Sequence, residues 1–328
     1  CRQFSSYDRR ARSPSEEWFA NDDCGHYLRE EQNAGRTEYV MMDAPGPGTI
    51  VRIWSANPAG TLRIYLDGAE QPVMESPMSE LLGGKFPGLA RPIAGEYSKG
   101  WNLYFPIPYE RSCKVTSDKG GFYYHVNYRT YEAGTRVKSF TLDQLKALAP
   151  RIERVARILS DPPKAAAASS ANGVPFELRL APGRRVEQRF YGPQAIPRAS
   201  LQVSARDRDA ALRGIVLRAR FDGEETVETP LGDFFGSAPG INPYAGLPLG
   251  MTAAGEMYCQ WYIPFKESAV VELENLSKEE ATVAGDIVLS DCQWTDDLMH
   301  FHAKWRIEHD VPTRPMQDWK YLNVIGRG

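Results

Sequence analysis

The sequence predicts an all-β fold of two tandem antiparallel jelly-roll β-sandwich modules with a connecting helix. Short segments rich in Tyr and β-branched residues end at frequent Gly and Pro turns, which is typical of sandwiches and barrels. A set of landmarks recurs in the same order after about 155 residues. One segment near the middle of the chain has helical rather than alternating periodicity. These observations together predict two copies of one β-rich domain.

The repeat consists of three pairs of landmarks: Asp67-Gly68 with Asp222-Gly223, Pro77 with Pro230, and Ile107-Pro108-Tyr109 with Ile263-Pro264-Phe265. Solenoid units are only about 20 to 50 residues long, so a repeat of this length is a whole domain. Each Asp-Gly pair supplies the positive φ angles that a tight hairpin needs. We therefore interpret both pairs as structural turns.

Residues 1–140 are assigned to the first module, which begins with a polar, irregular N-terminal arm. Alternation starts near Glu38, and the turn cluster Ala44–Gly48 separates the first two strands. Further strands are predicted over residues 49–54, 62–66, 101–105 and 122–131.

Residues 141–175 are assigned to a helix and a linker. Leu, Ile and Val recur at helical spacing over residues 142–159, and Thr141 or Asp143 could cap the first turn. Pro150 is expected to kink this helix or to split it in two, because proline lacks the backbone N–H that a helix interior needs. The small residues that follow indicate a flexible linker.

Residues 176–328 are assigned to the second module with a C-terminal segment. Its strands are predicted over residues 177–180, 185–191, 200–205, 214–221, 257–263, 269–273 and 281–289. Polar and aromatic residues are dense between 291 and 310. The stretch Trp319–Ile325 also has a strand-like composition, so we predict a last strand there.

Composition limits the possible functions. The chain has 328 residues, which is enough for two domains with sizeable cores. Its hydrophobic fraction of 42% and charged fraction of 25% are typical of a globular protein. The formal net charge of -3 does not suit an electrostatically driven nucleic-acid binder, so no nucleic-acid partner is expected.

No metal ion and no organic cofactor are expected. The cysteines show no CxxC motif and no metal-site spacing, and the histidines at 300, 302 and 309 match no familiar ligand pattern. Four cysteines are expected to be mostly buried thiols, since a thiol packs as a small apolar group. They are Cys24, Cys113, Cys259 and Cys292.

Cys1 is treated separately because the chain begins with it rather than with Met. Removal of a bacterial lipoprotein signal leaves a mature chain that begins with a lipidated cysteine. On that interpretation the protein is secreted or periplasmic and lipid-anchored through Cys1. The alternative is that the sequence simply starts at this position.

Four segments resemble glycoside hydrolase family 172: Ser5–Arg9, Pro230–Gly236, Ile263–Phe265 and Phe301–Arg306. The resemblance covers most of the chain. It implies a pair of β jelly rolls and a homo-oligomer that is a trimer or a multiple of one. It also implies retaining cleavage of furanosides, such as fructofuranosides or D-arabinofuranosides.

The sequence departs from this family at the two catalytic glutamates. In the family they lie in a Gly-Glu-Gly-Asp-Glu segment and a Gly-Thr-Glu-Asp-Tyr-Phe-Gly segment, and neither occurs here. The equivalent positions are Gly214 and Gly232 in the second module, and Ala59 and Ser79 in the first. We therefore assign no catalytic residue. The chain ends where the family's catalytic segment would follow, so we expect the glutamates in a further C-terminal module or a companion chain.

Seven residues are candidates for binding a carbohydrate: Trp18, Asp22, Asp23, Asp233, His302, Trp305 and Arg306. In the Phe301–Arg306 segment an aromatic face could pack against sugar C–H groups while polar ends hold hydroxyls. A half-buried strand with a solvated polar face would show the same pattern. Asp233 could equally cap a turn, and the segment around Trp18 could merely cover the core.

Two functions follow from the sequence. The chain could be the non-catalytic N-terminal portion of a furanoside-cleaving glycoside hydrolase. It could instead be a non-enzymatic jelly-roll protein that forms trimers and has a structural or carbohydrate-binding role. A self-contained active site is the least favoured reading, because retaining enzymes need two carboxyl groups about 5–5.5 Å apart. Adjacent Asp22 and Asp23 would point apart on a strand, and Glu80 and Asp233 occupy equivalent positions in separate modules.

Overall fold

The computed structural model describes residues 1–10, 23–162, 173–237, 240–312 and 319–325. Residues 1–160 form most of one compact unit, and residues 161–311 form most of a second. Each unit contains a β-sandwich with its own buried hydrophobic core. The predicted all-β fold of two modules is confirmed.

The strands of the first module, in chain order, are β1 (Arg2–Ser5), β2 (Arg29–Asn33), β3 (Arg36–Pro45), β4 (Gly48–Ser55), β5 (Thr61–Leu66), β6 (Met74–Pro77), β7 (Ala94–Tyr97), β8 (Gly100–Leu103), β9 (Ile107–Tyr109), β10 (Ser112–Ser117) and β11 (Tyr124–Thr130). One sheet has the order β1-β11-β4-β8-β7, and β9 also pairs with β4. The other has the order β2-β3-β10-β5-β6. A short helix, α1 (Met78–Leu82), follows β6.

The strands of the second module are β12 (Gly173–Leu180), β13 (Arg185–Tyr191), β14 (Gln194–Ala205), β15 (Ile215–Phe221), β16 (Glu224–Pro230), β17 (Tyr244–Ala245), β18 (Leu249–Met251), β19 (Met257–Cys259), β20 (Ile263–Phe265), β21 (Ser268–Asn275), β22 (Ala281–Asp291) and β23 (Ala303–Lys304). One sheet has the order β12-β22-β14-β19-β18-β17, and β20 also pairs with β14. The other has the order β13-β21-β15-β16-β23.

The two modules share one connectivity. In each, the first strand pairs with the last long strand, as in β1 with β11 and β12 with β22. The strand just before that one lies between two earlier strands, as β10 lies between β3 and β5, and β21 between β13 and β15. This nesting of outer strand pairs around inner ones in two packed sheets is the jelly-roll arrangement. The long sequence repeat is therefore a repeat of whole jelly rolls.

The Asp-Gly landmarks occupy the same hairpin in both modules. Asp67 connects β5 to β6 and Asp222 connects β15 to β16, with φ angles of 58° and 53°. The backbone N–H of Asp67 donates to the Ser112 carbonyl over 2.8 Å, and that of Asp222 donates to the Ser268 carbonyl over 2.8 Å. The prediction that both pairs form structural turns is confirmed.

The helical segment after β11 forms two helices, α2 (Leu142–Ala147) and α3 (Ala149–Ser160). The break falls at Leu148, and Pro150 lies in the first turn of α3, where the missing N–H costs no helical hydrogen bond. The predicted split at Pro150 is confirmed. Ile152 and Leu159 of α3 pack against the core of the first module.

The start of α2 has a capping box. The Thr141 hydroxyl accepts the backbone N–H of Gln144 over 3.3 Å, and the Gln144 side chain accepts the backbone N–H of Thr141 over 3.0 Å. Each side chain thus pairs a backbone donor that the first turn would leave open. Leu145 in the same helix is buried in the first core. Of the two capping residues that the sequence allowed, Thr141 is the one used.

The predicted strand at Trp319–Ile325 is wrong. These residues carry no strand pairing, and Ile325 is 99% exposed. A strand-like composition is not sufficient, because a strand also needs a neighbour for its backbone hydrogen bonds. Among the described residues, no helix is both long and apolar enough to cross a membrane.

The expectation for the cysteines is largely confirmed. Cys113, Cys259 and Cys292 are buried thiols outside any disulfide, Cys24 is half-buried, and Cys1 is exposed. Burial raises the pKa of the Cys259 thiol to about 11. A thiol in that state is protonated at neutral pH and packs as an apolar group.

Candidate functional site

The second module has a cleft of about 400 Å³ beside β23 and the short helix α5 (Leu231–Phe234), which follows β16. We call it the Trp305 cleft. The side chains that line it are Thr229, Asp233, Phe234, Leu249, Trp261, Phe301, His302, Ala303, Lys304 and Trp305. Three candidates from the sequence, at positions 233, 302 and 305, therefore lie in one cleft.

The parallel pairing of β23 with β16 places Trp305. Ala303 lies opposite Val227 and Lys304 opposite Glu228. The backbone N–H of Trp305 then donates to the Glu228 carbonyl over 2.9 Å. β16 and β23 are far apart in the sequence. Their pairing therefore determines that Trp305, which follows β23 directly, lies at the edge of this sheet.

Arg213 joins Trp305 to Asp233. It lies in the last turn of α4 (Arg208–Gly214), which precedes β15, and its Nη1 lies 2.7 Å from each carboxylate oxygen of Asp233. The same guanidinium lies 4.5 Å from the centre of the Trp305 ring. A cation over an indole face stabilises the ring position. The Asp233 side chain therefore pairs with a cation and does not cap a turn.

Sequence reasoning did not identify Arg213. The available signal was its place in the chain, since it precedes Gly214, one of the two positions equivalent to the family's catalytic glutamates. The resulting group of Trp305, Arg213 and Asp233 leaves the indole 37% exposed at the cleft. An exposed aromatic edge beside a fixed charged pair suits a ligand with both C–H and hydroxyl groups.

The two glycines at the positions equivalent to the family's catalytic glutamates have close neighbours, and those of Gly214 are the closer. A Cβ atom at Gly214 would lie 2.7 Å from the Ser277 Cβ and 2.9 Å from the Ser277 backbone nitrogen. A Cβ atom at Gly232 would lie 3.1 Å from the Leu212 Cβ. Contact with the neighbouring backbone at the first position leaves no space for a carboxylate side chain. Among the described residues that line the cleft, Asp233 carries the only carboxylate.

Arg306 is turned away from the cleft. Its guanidinium donates to the Lys320 carbonyl over 2.9 Å and to the Glu308 carboxylate over 2.6 Å. It also lies 5.6 Å from the centre of the Trp319 ring. Only Ala303 and Lys304 are in a strand, so strict alternation does not extend to this residue.

The N-terminal candidates are not part of the Trp305 cleft as described. Asp23 lies in the first module, is exposed, and accepts the backbone N–H of Asp8 over 3.3 Å. Trp18 and Asp22 lie outside the described residues. The structure therefore brings together three of the seven candidates.

His300 anchors the segment that leads into β23. Its Nε2 lies 2.8 Å from a carboxylate oxygen of Asp222, and its ring packs against Trp294 with centres 5.2 Å apart. This histidine therefore contacts the β15–β16 hairpin and not a metal-ligand set. In the described part of the chain, no group of three or more His, Cys, Asp or Glu side chains is arranged to hold a metal ion.

Two family models match the chain. The model of the GH172 first β-sandwich domain matches residues 1–148, and the GH172 domain-like model matches residues 177–287. The chain belongs to glycoside hydrolase family 172. The resemblance seen in the sequence is confirmed, and the two matched regions of this family 172 protein correspond to the two jelly rolls.

Similar solved structures include the major capsid protein P2 from bacteriophage PM2, with 9% identity, a TM-score of 0.23, and coverage of 84% of this chain and 98% of that chain. A conserved protein of unknown function from Pseudomonas aeruginosa PAO1 has 11% identity, a TM-score of 0.19, and coverage of 78% and 89%. The STIV MCP has 10% identity, a TM-score of 0.20, and coverage of 80% and 95%. Scores this low support no argument about this chain. No curated protein matches it.

Proposed function

We propose that this family 172 chain binds a furanoside in the Trp305 cleft and does not cleave it alone. It acts as the non-catalytic portion of a retaining glycoside hydrolase for fructofuranosides or D-arabinofuranosides. The two catalytic glutamates come from a further module or a companion chain. Neither a metal ion nor an organic cofactor is needed for this role.

One contrast carries this proposal. The cleft has side chains suited to a sugar, whereas Gly214 and Gly232 stand where the family has its catalytic glutamates. The cleft has the aromatic and polar groups that suit a sugar, namely Trp305, His302 and the Arg213–Asp233 pair. Retaining cleavage requires a nucleophile and an acid/base, both carboxyl groups. Asp233 is bound through both oxygens by a guanidinium, and Gly214 has no space for a carboxylate.

The test measures hydrolysis and binding on the same chain. We expect no release of nitrophenol from aryl furanosides, and we expect methyl D-arabinofuranoside or methyl fructofuranoside to bind weakly by NMR titration. Trp305→Ala should reduce that binding about two- to tenfold, because stacking on an aromatic ring contributes about 0.5–1.5 kcal/mol. Turnover that is lost in Asp233→Asn would show that the chain has its own active site.

The control variant is Trp54→Ala in the first module. Trp54 is also half-buried beside an arginine, with the Arg52 guanidinium 5.9 Å from its ring centre, but it lies outside the cleft. Its loss should leave furanoside binding unchanged. Equal effects of the two variants would place the sugar elsewhere.

The alternative is a non-enzymatic jelly-roll protein with a structural or binding role. The Arg213–Asp233 pair favours it, since a carboxylate whose two oxygens both lie 2.7 Å from one guanidinium nitrogen suits a structural contact. Mixing the chain with extracts that contain its natural partner chains separates the two functions. Recovery of furanosidase activity in a complex with this chain supports the first, and a stable homo-oligomer with no activity in any mixture supports the second.

A further inference from the structure

The interior of the second sandwich is incompletely filled. Two cavities, of about 100 Å³ and about 140 Å³, lie between its sheets. Four side chains line both of them: Phe176, Val271, Leu273 and Ile287. The two cavities are therefore adjacent, and these four apolar side chains separate them.

The walls of these cavities are apolar. In the first cavity the only aliphatic hydroxyl is that of Ser200, and it already donates to the Asp286 carboxylate. In the second the only polar side chain is Gln188, which donates to the Arg189 carbonyl over 3.3 Å. A buried water needs about two to four polar partners, so such a space favours an apolar group.

The first cavity adjoins the Trp305 cleft. Three aromatic side chains, Phe234, Trp261 and Phe301, line both spaces. The Phe301 ring centre lies 6.2 Å from that of Phe234 and 6.1 Å from that of Trp261. Trp261 and Phe301 both lie outside the strands, and Trp261 is 45% exposed. The rings between the two spaces are therefore not held by sheet hydrogen bonds.

We propose that the interior of the second module binds the apolar aglycone of a glycoside whose sugar occupies the Trp305 cleft. The aglycone is an alkyl chain or an aryl ring. The sugar half of this inference rests on the proposed function, and the apolar half rests on the cavities. An apolar cavity of about 150 Å³ holds a benzene ring. The first cavity, at about 100 Å³, suits a short alkyl chain, and the second, at about 140 Å³, is close to the size that holds a ring.

The test compares three probes at concentrations below micelle formation: methyl D-arabinofuranoside, octyl D-arabinofuranoside and 1-octanol. Binding is measured by calorimetry and by tryptophan fluorescence. Each buried methylene raises affinity about fourfold. If three or four methylenes enter the first cavity, the octyl glycoside should bind roughly 100-fold more tightly than the methyl glycoside.

Ala219→Leu is the blocking variant. Ala219 lines the first cavity and not the cleft. Filling the space should remove the gain from the octyl chain and leave the affinity for the methyl glycoside unchanged. The melting temperature should stay equal or rise, because the added atoms fill an existing cavity. A marked fall in melting temperature would show that the interior is already packed and would overturn the inference.

Ala254→Leu is the matched control, since Ala254 is exposed in the same module and lines neither space. It should bind all three probes as the unchanged protein does. Equal affinity for the octyl and methyl glycosides would overturn the aglycone site and leave the proposed function standing. If 1-octanol binds and neither glycoside does, both the carbohydrate proposal and the proposal that one ligand occupies the cleft and the cavity would be overturned.

Discussion

Asp67 and Asp222 occupy the same turn in the two modules, and Asp222 accepts more hydrogen bonds than Asp67. The Asp222 carboxylate accepts the backbone N–H groups of Lys266, Glu267 and Ser268 over 2.9, 2.6 and 2.9 Å, and it contacts His300. Burial alone would raise the pKa of this carboxyl, but these donors outweigh it and lower the pKa to about 2. The side chain thus joins the β15–β16 hairpin to the loop before β21 and to the segment before β23.

Asp222→Asn should destabilise the second module. The folded pKa lies below the unfolded value of 3.8, so the carboxylate contributes stability above that value and loses it as pH falls toward 2. We expect a loss of about 2 kcal/mol at pH 7 and a weaker pH dependence between about 5 and 2. Urea unfolding of both proteins at pH 7 and pH 3 measures this. Asp143→Asn is the control, because its side chain is 92% exposed.

Installing a glutamate at Gly214 should not create activity. The Ser277 backbone lies too close for a side chain, so Gly214→Glu should destabilise the module by about 1–3 kcal/mol. Ser79→Glu makes the same residue at an exposed position and should change stability by no more than about 0.5 kcal/mol. Both are measured by urea unfolding and by assay on aryl furanosides. Hydrolysis by the Gly214 variant would show that the second module can be rebuilt as a catalytic one.

Between strands, the repeat extends to a cross-strand ion pair that the landmarks did not include. Arg63 of β5 lies opposite Glu75 of β6, and Arg218 of β15 lies opposite Glu228 of β16. In both pairs the Arg Nε to Glu Oε1 distance is 3.1 Å. Opposite charges that face each other across two strands stabilise their register. The two hairpins thus keep the same turn and the same pair of charges.

The capping box of α2 should contribute measurably to the first module. Thr141→Ala removes the hydroxyl that accepts the Gln144 N–H, and Leu145 in the same helix belongs to the core. We expect a loss of about 1 kcal/mol in unfolding free energy. Ser160→Ala at the end of α3 is the control, because its hydroxyl is exposed and donates to the Ala156 carbonyl within the same helix. If both variants lose the same unfolding free energy, the capping box makes no specific contribution to stability.

Both modules expose large aromatic side chains at their surfaces. Several large aromatic side chains of the first module are exposed: Tyr7, Tyr97, Tyr104, Tyr123 and Tyr131. Tyrosine is enriched at protein interfaces, where it provides contact area and a hydrogen-bonding hydroxyl. The two sheets of the first module also end at edge strands, which are β2 and β6 in one sheet and β1 and β7 in the other. Exposed edges and aromatic groups favour assembly with other chains.

Together with the trimer that the family resemblance implies, these features lead us to expect a homo-oligomer, with a trimer as its unit and about 1,000 Å² or more buried at each interface. Light scattering coupled to gel filtration at micromolar protein measures its mass. Tyr104→Ser, which changes a half-exposed aromatic, should weaken assembly more than Leu276→Ser, which changes an exposed residue of the second module. A monomer at micromolar concentration would contradict the expectation.

The sequence by itself determined the features that depend on local spacing. The Asp67 and Asp222 turns, the Thr141 cap and the helix break just before Pro150 follow from backbone angles and hydrogen bonds within a few residues. The long repeat of such landmarks was then enough to predict two copies of one domain. Family membership followed from the same kind of local motif.

Only the tertiary structure decided which side chains meet. Arg213 of α4 meets Asp233 of α5, and Trp305 joins them because β23 pairs with β16 over two residues. A pairing that short leaves no periodic signal in the sequence. The short pairing also ends before Arg306, which points away from the cleft. Residues Trp319–Ile325 form no strand, since a strand depends on a neighbour as much as on its own residues.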